Sequence, residues 1–176
     1  MTIAIKPTAS GSTIEQNGST ILTVDGSGNI TPSNSMYPKV PAFSATMSTG
    51  VTLTAATWIK LTFNTEAFDT NSNFNTSTYR FTPTVAGYYQ VNGSLAATAG
   101  GSATYYLVAI YKNGSAVKYG SNFYCSPSSG PTSTVNALIY LNGTTDYVEL
   151  YANHQTGTTS GSGNLGSNFD AHLASV

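Results

Sequence analysis

Seven Asp and Glu, six Lys and Arg, two histidines and one cysteine are the whole reactive inventory of this 176-residue chain. Glu66 and Asp69 lie close enough to share a cation. Calcium, however, takes six to eight oxygen ligands, so two carboxylates alone do not make a site. His154 falls at the end of an expected strand and His172 within the last one. Neither accompanies a G-x-S-x-G nucleophile elbow or a glycine-rich phosphate loop. With serine so abundant, any Ser-His-Asp grouping would be arbitrary. Cys125 sits beside Pro127 and Gly130 in a polar loop, with no Lys, Arg or His near it in sequence to activate its thiol. A single cysteine excludes an internal disulfide framework, and no paired Cys/His spacing suits zinc. The reading is a non-enzymatic protein with no catalytic residues, no cofactor and no metal.

Charge excludes more. Only 7% of residues are charged, against about 25% in a typical soluble domain, and the net charge is −1. Nucleic-acid binding needs a field of Lys and Arg to release counterions, and a polybasic membrane anchor needs the same. Both partners are excluded. No apolar run approaches the roughly 18 residues of a membrane span. The first residues, Met-Thr-Ile-Ala-Ile-Lys, lack a continuous apolar core, so no signal peptide is expected there. Yet 40% of residues are hydrophobic and 12 are tyrosine, ample for a packed core. Solubility then rests on Ser, Thr, Asn and Gly. This composition suits a β protein of the extracellular or particle-surface kind, and its near-zero net charge suits burial in an assembly.

The elements that must carry these residues are strands. In residues 1–40, two β signals at 14–16 and 19–24 flank Asn17-Gly18, a dipeptide favoured in two-residue hairpins. A second turn, 25–29, precedes Ile30. Pro32, Pro38 and Pro41 then mark a stiff linker. So few apolar groups cannot build an independent core. The segment reads as an arm that orders on another protein through Ile14, Ile21, Leu22, Val24 and Ile30. Residues 41–176 read as one domain, with strands expected at 42–45, 58–63, 77–82, 87–95, 103–112, 116–124, 133–141, 146–153 and 168–174. Asn113-Gly114 and Asn142-Gly143 are expected hairpin turns. The Asn-Gly-Ser and Asn-Gly-Thr sequons at Asn17, Asn92, Asn113 and Asn142 read as turns rather than glycosylation sites. No window has a helical apolar period. The fold class is therefore all-β, a sandwich of jelly-roll type.

Two strands are apolar on both faces, 105–111 and 147–151. A sandwich needs only one face of each sheet for its core. The surplus face, carried by Tyr105, Leu107, Tyr111, Tyr147 and Tyr151, is expected to meet copies of the same chain.

The stretch 63–93 resembles the signature of the C1q-like (C1q/TNF) family, F-x5-[ND]-x4-[FYWL]-x6-F-x5-G-x-Y-x-F-x-[FY]. Phe63, Asp69, Phe74, Phe81, Gly87 and Tyr89 occupy matching positions with the required spacing. Val91 and Gly93 depart from it, and Gly93 removes a core ring whose place must be filled from elsewhere. Residues 111–114, 147–151 and 168–173 also resemble family segments, so the likeness covers about 42–176. It implies a ten-stranded jelly roll that assembles as a homotrimer, with Asp69 in a turn or capping role. Residues 19–34 look like the opening of bacteriophage fibre and head-fibre proteins. Together the two likenesses imply a virion structural protein on the surface of a phage particle. In one form it is a trimeric capsid decoration or cement knob, held to the major capsid protein or another virion protein by residues 1–40. In the other it is a short tail-fibre knob that recognises a host-surface glycan, through loops around 71–77, 123–132 and 155–168. An arm without a coiled coil has little reach, which favours decoration.

Overall fold

Turn chemistry sets out the first forty residues. The computed structural model describes residues 2–33, 40–98, 104–125, 130, 132–155, 158–161 and 166–176, in two units, Met1–Val40 and Pro41–Val176. In the first unit β1 (Ile3–Thr8), β2 (Gly11–Gln16), β3 (Ser19–Asp25) and β4 (Ile30–Pro32) form an antiparallel sheet in chain order. Asn17 and Gly18 both have positive φ, 49° and 84°. That is the hairpin turn whose twist matches its strands. The Asp25 carboxylate accepts from the backbone N–H of Ser27 and of Asn29, both at 2.9 Å, and so shapes the next turn.

Alternation along these strands sorts the side chains onto two faces. Ile5 lies opposite Ile14, Ile14 opposite Leu22, and Leu22 opposite Pro32. Val24 lies opposite Ile30, two residues along the same face. The reverse face carries the Lys6–Glu15 ion pair and Thr23. No described residue of 2–33 is buried.

The second unit contains β5 (Ala42–Thr46), β6 (Val51–Thr54), β7 (Ile59–Lys60), β8 (Thr65–Asp69), β9 (Phe74–Asn75), β10 (Arg80–Phe81), β11 (Gly87–Thr98), β12 (Thr104–Lys112), β13 (Ser115–Tyr119), β14 (Phe123–Cys125), β15 (Thr132–Leu141), β16 (Val148–His154), β17 (Thr158–Gly161) and β18 (Asn168–Ser175). One sheet runs β13-β12-β16-β10-β9, with β14 on β12 and β7 on β16. The other runs β6-β17-β11-β18-β5-β8, with β15 on β11. No helix occurs among the described residues. This is the expected all-β jelly roll.

Several boundaries differ from expectation. The strand expected over 58–63 pairs only at Ile59–Lys60, and 77–82 pairs only at Arg80–Phe81. The strand expected over 116–124 is two, β13 and β14. Asn113-Gly114 does join a hairpin, β12 to β13, with φ of 52° and 80°. Asn142-Gly143 does not. The strands on either side of it, β15 and β16, belong to different sheets. Here the Asn142 Oδ1 accepts from the N–H groups of Thr144, Thr145 and Asp146, each at 2.9 Å, and the capped turn carries the chain across the sandwich. Asn92 is no turn either, being in the middle of β11.

The core between the sheets is aromatic at one end. Phe43 stacks on Phe74 at 4.5 Å and on Phe81 at 4.6 Å, and meets Phe169 edge-on at 4.9 Å. Phe63 reaches Phe169 at 5.6 Å, and Tyr89 reaches Phe81 at 5.5 Å. The ring missing at Gly93 is replaced by Leu150 of the opposite sheet. A Cβ on Gly93 would lie 2.2 Å from the Leu150 Cδ1.

Candidate functional site: two sheet faces of unlike chemistry

The outer face of the β12–β16 sheet is built by alternation. Tyr106, Val108 and Ile110 point inward and are buried, leaving Tyr105, Leu107, Ala109 and Tyr111 on the outer side. Ala109 lies in register between Tyr119 of β13 and Tyr151 of β16. Although on the outer face, Ala109 is fully covered. The cover is a chain of rings: Tyr151 stacks on Tyr111 at 4.1 Å, Trp58 lies 5.9 Å from Tyr111, and Tyr119 lies 5.5 Å from Trp58. Burial pushes the Tyr111 and Tyr151 hydroxyls above their ordinary pKa.

Beside the rings lies a buried carboxylate. Glu149, only 1% exposed, occupies an outward position of β16. Its Oε1 accepts from the Lys60 ammonium and from the Arg80 Nε at 2.6 Å. Its Oε2 lies 3.5 Å from the Tyr151 hydroxyl. The Arg80 guanidinium also lies 4.1 Å from the centre of the Tyr147 ring, a cation–π contact. The bond to Glu149 raises the Arg80 pKa further, so it is permanently cationic. Two cations share one carboxylate, and the cluster keeps a net positive charge.

The outer face of the other sheet is different. Tyr88 of β11 and Tyr140 of β15 are cross-strand partners with rings 5.4 Å apart. Each is 48% exposed, and Leu138 beside them is 57% exposed. Next to them, Asp170 accepts from the side-chain amides of Asn92 at 2.8 Å and Asn168 at 2.6 Å. Charges are sorted by sheet. Lys60, Arg80, Lys112 and Lys118 all lie on the β12–β16 sheet, with Glu149 and, on the turn leading into β16, Asp146. Glu66, Asp69 and Asp170 all lie on the β11–β18 sheet, which holds no Lys or Arg.

The residues singled out in sequence fall as follows. Phe63, Phe74, Phe81 and Tyr89 are buried in the aromatic core. The Tyr89 hydroxyl donates to the Val85 carbonyl at 2.7 Å, and burial pushes its pKa up to about 12. Gly87 runs so close to β18 that a Cβ would lie 2.5 Å from the Ser175 carbonyl oxygen. Asp69 accepts from the backbone N–H of Asn71 at 3.1 Å and of Phe74 at 2.6 Å, which is a capping role. Glu66 is exposed. Among the described residues no three His, Cys, Asp or Glu side chains converge as a metal site would require.

Of the five residues read as contacts between copies, Tyr105 is exposed and rests against Tyr124 at 5.0 Å. Leu107, Tyr111, Tyr147 and Tyr151 are half-buried, the three tyrosines against Trp58, Arg80 and one another. His154 is buried, with Nε2 3.0 Å from the Leu53 carbonyl oxygen and Nδ1 without a hydrogen-bond partner among the described residues. His172 is exposed on β18. The Cys125 side chain and parts of the 123–132 and 155–168 loops lie outside the described residues. Sequence reasoning missed Glu149, Lys60, Arg80 and Trp58 as a group. The available signal was a lone Glu in the otherwise apolar run 147–151.

No family model matches the chain, and no curated protein does. Solved structures do. The globular domain of zebrafish complement 1qA matches with a TM-score of 0.56 and 18% identity, covering 76% of this chain and 97% of that one. Eiger TNF from S. frugiperda matches with a TM-score of 0.58 and 11% identity, over 79% and 96%. Murine APRIL at pH 5.0 matches with a TM-score of 0.56 and 7% identity, over 77% and 99%. At these identities the likeness is one of fold, and the fold is a C1q/TNF-like jelly roll.

Proposed function

We propose that this chain is a non-enzymatic structural protein of a bacteriophage particle, a trimeric knob that decorates the capsid. The observation that carries this reading is the uncovered apolar face of the first unit. Ile5, Ile14, Leu22, Val24 and Ile30 share one side of a small sheet in which nothing is buried. Such a face is a docking surface. Its partner is a capsid or other virion protein, as the resemblance of 19–34 to phage fibre openings implies. Ile21, the fifth arm residue read from sequence, sits at the register shift in β3 and off that row.

The trimer is proposed to close through the β11–β15 face, where Tyr88, Leu138 and Tyr140 stand exposed. Tyr111, Tyr147 and Tyr151 are less suited, being half-covered by their own chain.

Energetics fit decoration. Burying about 600 Å² of apolar surface per arm would contribute roughly 15 kcal/mol gross. Ordering a flexible chain would offset most of this, but an arm already paired as a sheet loses less. Three arms on one trimer add effective concentration. Removing residues 1–40 should leave a folded trimer that no longer binds particles, and a truncated knob that still bound would overturn the division of labour. Cryo-electron microscopy of the virus decides the position: trimers over the head support decoration, whereas trimers confined to the tail make it a host-recognition knob.

A further inference from the structure

An ion cluster around a buried carboxylate on an outer sheet face is an expensive way to obtain stability. Replacing such a cluster by well-packed apolar residues is often neutral or favourable, so its presence asks for another reason. Glu149 does one thing an apolar residue would not: it holds two cations in fixed positions at the edge of an aromatic surface. Arg80 gives only its Nε to Glu149, and its side chain is 40% exposed. Among the described residues the terminal nitrogens of its planar fork meet no partner, and they can grip a carboxylate through two bonds. The Tyr147 ring packs against the guanidinium.

The rings lead away from this point. Tyr151, Tyr111, Trp58 and Tyr119 follow one another in contact across β16, β12 and β13. From Lys60 to Tyr119 is three strand spacings, about 14 Å. Tyr119, 55% exposed, then opens onto a polar groove of about 300 Å³ lined also by Lys118, Ser121, Thr134 and Asn136. An apolar ring surface flanked by hydroxyl and amide groups suits the two-sided character of a sugar, whose C–H face packs on rings while its hydroxyls hydrogen-bond. The cations specify an acidic one. The sorting of charge agrees, since every uncompensated carboxylate of the unit lies on the opposite sheet.

We infer that the outer face of the β12–β16 sheet binds an acidic oligosaccharide, with a sugar carboxylate on Arg80 and Lys60 and the following residues along Trp58 and Tyr119. This goes beyond the particle reading and does not rest on it, since it needs only the folded second unit within the full chain.

Trp58 is the single tryptophan of the protein and lies in the ring chain, so its fluorescence reports the site directly. The full-length protein is titrated with tri-galacturonic acid, with the neutral galactose trisaccharide and with acetate, and calorimetry runs in parallel. The acidic trisaccharide is expected to bind at least about tenfold more tightly than the neutral one, the margin of one charge-assisted contact. Acetate alone is expected to leave Trp58 unchanged. Arg80→Gln should remove the preference for acid, and Tyr119→Ala, an exposed change that does not threaten folding, should weaken both sugars. Lys112→Gln removes the same charge from the same sheet, away from the rings, and should leave binding intact. Equal affinity for acidic and neutral sugars would overturn the inference. So would no binding at millimolar concentration, a preference surviving Arg80→Gln, or an equal loss in Lys112→Gln.

Discussion

Asp69 shows how a carboxylate that invites a chemical reading serves the backbone instead. Both of its oxygens are occupied by N–H groups, from Asn71 and Phe74. The second of these fixes the start of β9, and with it the ring of Phe74 against Phe43. Asp69→Ala would leave two backbone donors unsatisfied and should cost about 1–3 kcal/mol; Asp69→Asn, which keeps one good acceptor, should cost less. Urea denaturation of the two variants measures the difference, and an Asp69→Ala variant as stable as the parent would remove the capping role. Four rings of the signature were legible because their spacing was unusual. Phe43 and Phe169, the centre of the same cluster, fell in expected strands, but their contact was not legible across the 126 positions between them. Only the pairing of β5 with β18 brings their strands together.

At the scale of elements, the turns decided what could be read in advance. Asn17-Gly18 and Asn113-Gly114 look alike in sequence and fold alike, both residues taking positive φ. Asn142-Gly143 has the same letters, yet its asparagine caps three following N–H groups and sends the chain to the other sheet. The dipeptide marks a turn; which strands it joins depends on tertiary pairing. The short strands β6, β8, β9 and β17 escaped notice for a related reason, because two to five residues carry too little alternation to stand out. In the first unit the signals of β2 and β3 were legible whereas β1 was not, and the alternation of the paired strands makes the arm testable one face at a time. Leu22→Asp places a charge on the apolar face and should abolish particle binding. Thr23→Asp, one residue on and facing the other way, should leave binding nearly unchanged. Sedimentation of particles mixed with each labelled variant distinguishes them, and equal behaviour would show that the face is not the docking surface.

For the whole molecule, the proposed trimer is testable where large apolar groups remain uncovered. A charge at Leu138 or Tyr140 would have to be desolvated in each of the contacts a trimer makes. The double variant Leu138→Asp, Tyr140→Asp should weaken association by about 2–5 kcal/mol per contact while leaving the monomer folded, both positions being exposed. Analytical ultracentrifugation of parent and variant checks this: the parent is expected to sediment as the proposed trimer and the variant, at the same concentration, as a monomer. An unchanged trimer would place the contact elsewhere, with Tyr105 and its strand next to be tried. The Glu149 cluster belongs to this scale too, since its members come from β7, β10 and β16 and no local pattern joins them.

The sorting of charge between the two sheets also affects motion before contact. A net charge of −1 suggests indifference toward an anionic surface, or weak repulsion. A body with cations on one side and carboxylates on the other has, however, a permanent electric dipole across its thickness, and a dipole feels a torque in a field even when its net charge is small. Near a negatively charged surface the unit would turn its ring-bearing sheet forward within about a Debye length, roughly 8–10 Å at ordinary ionic strength. Salt would then act on how often encounters begin in the right orientation, more than on how strongly the finished contact holds.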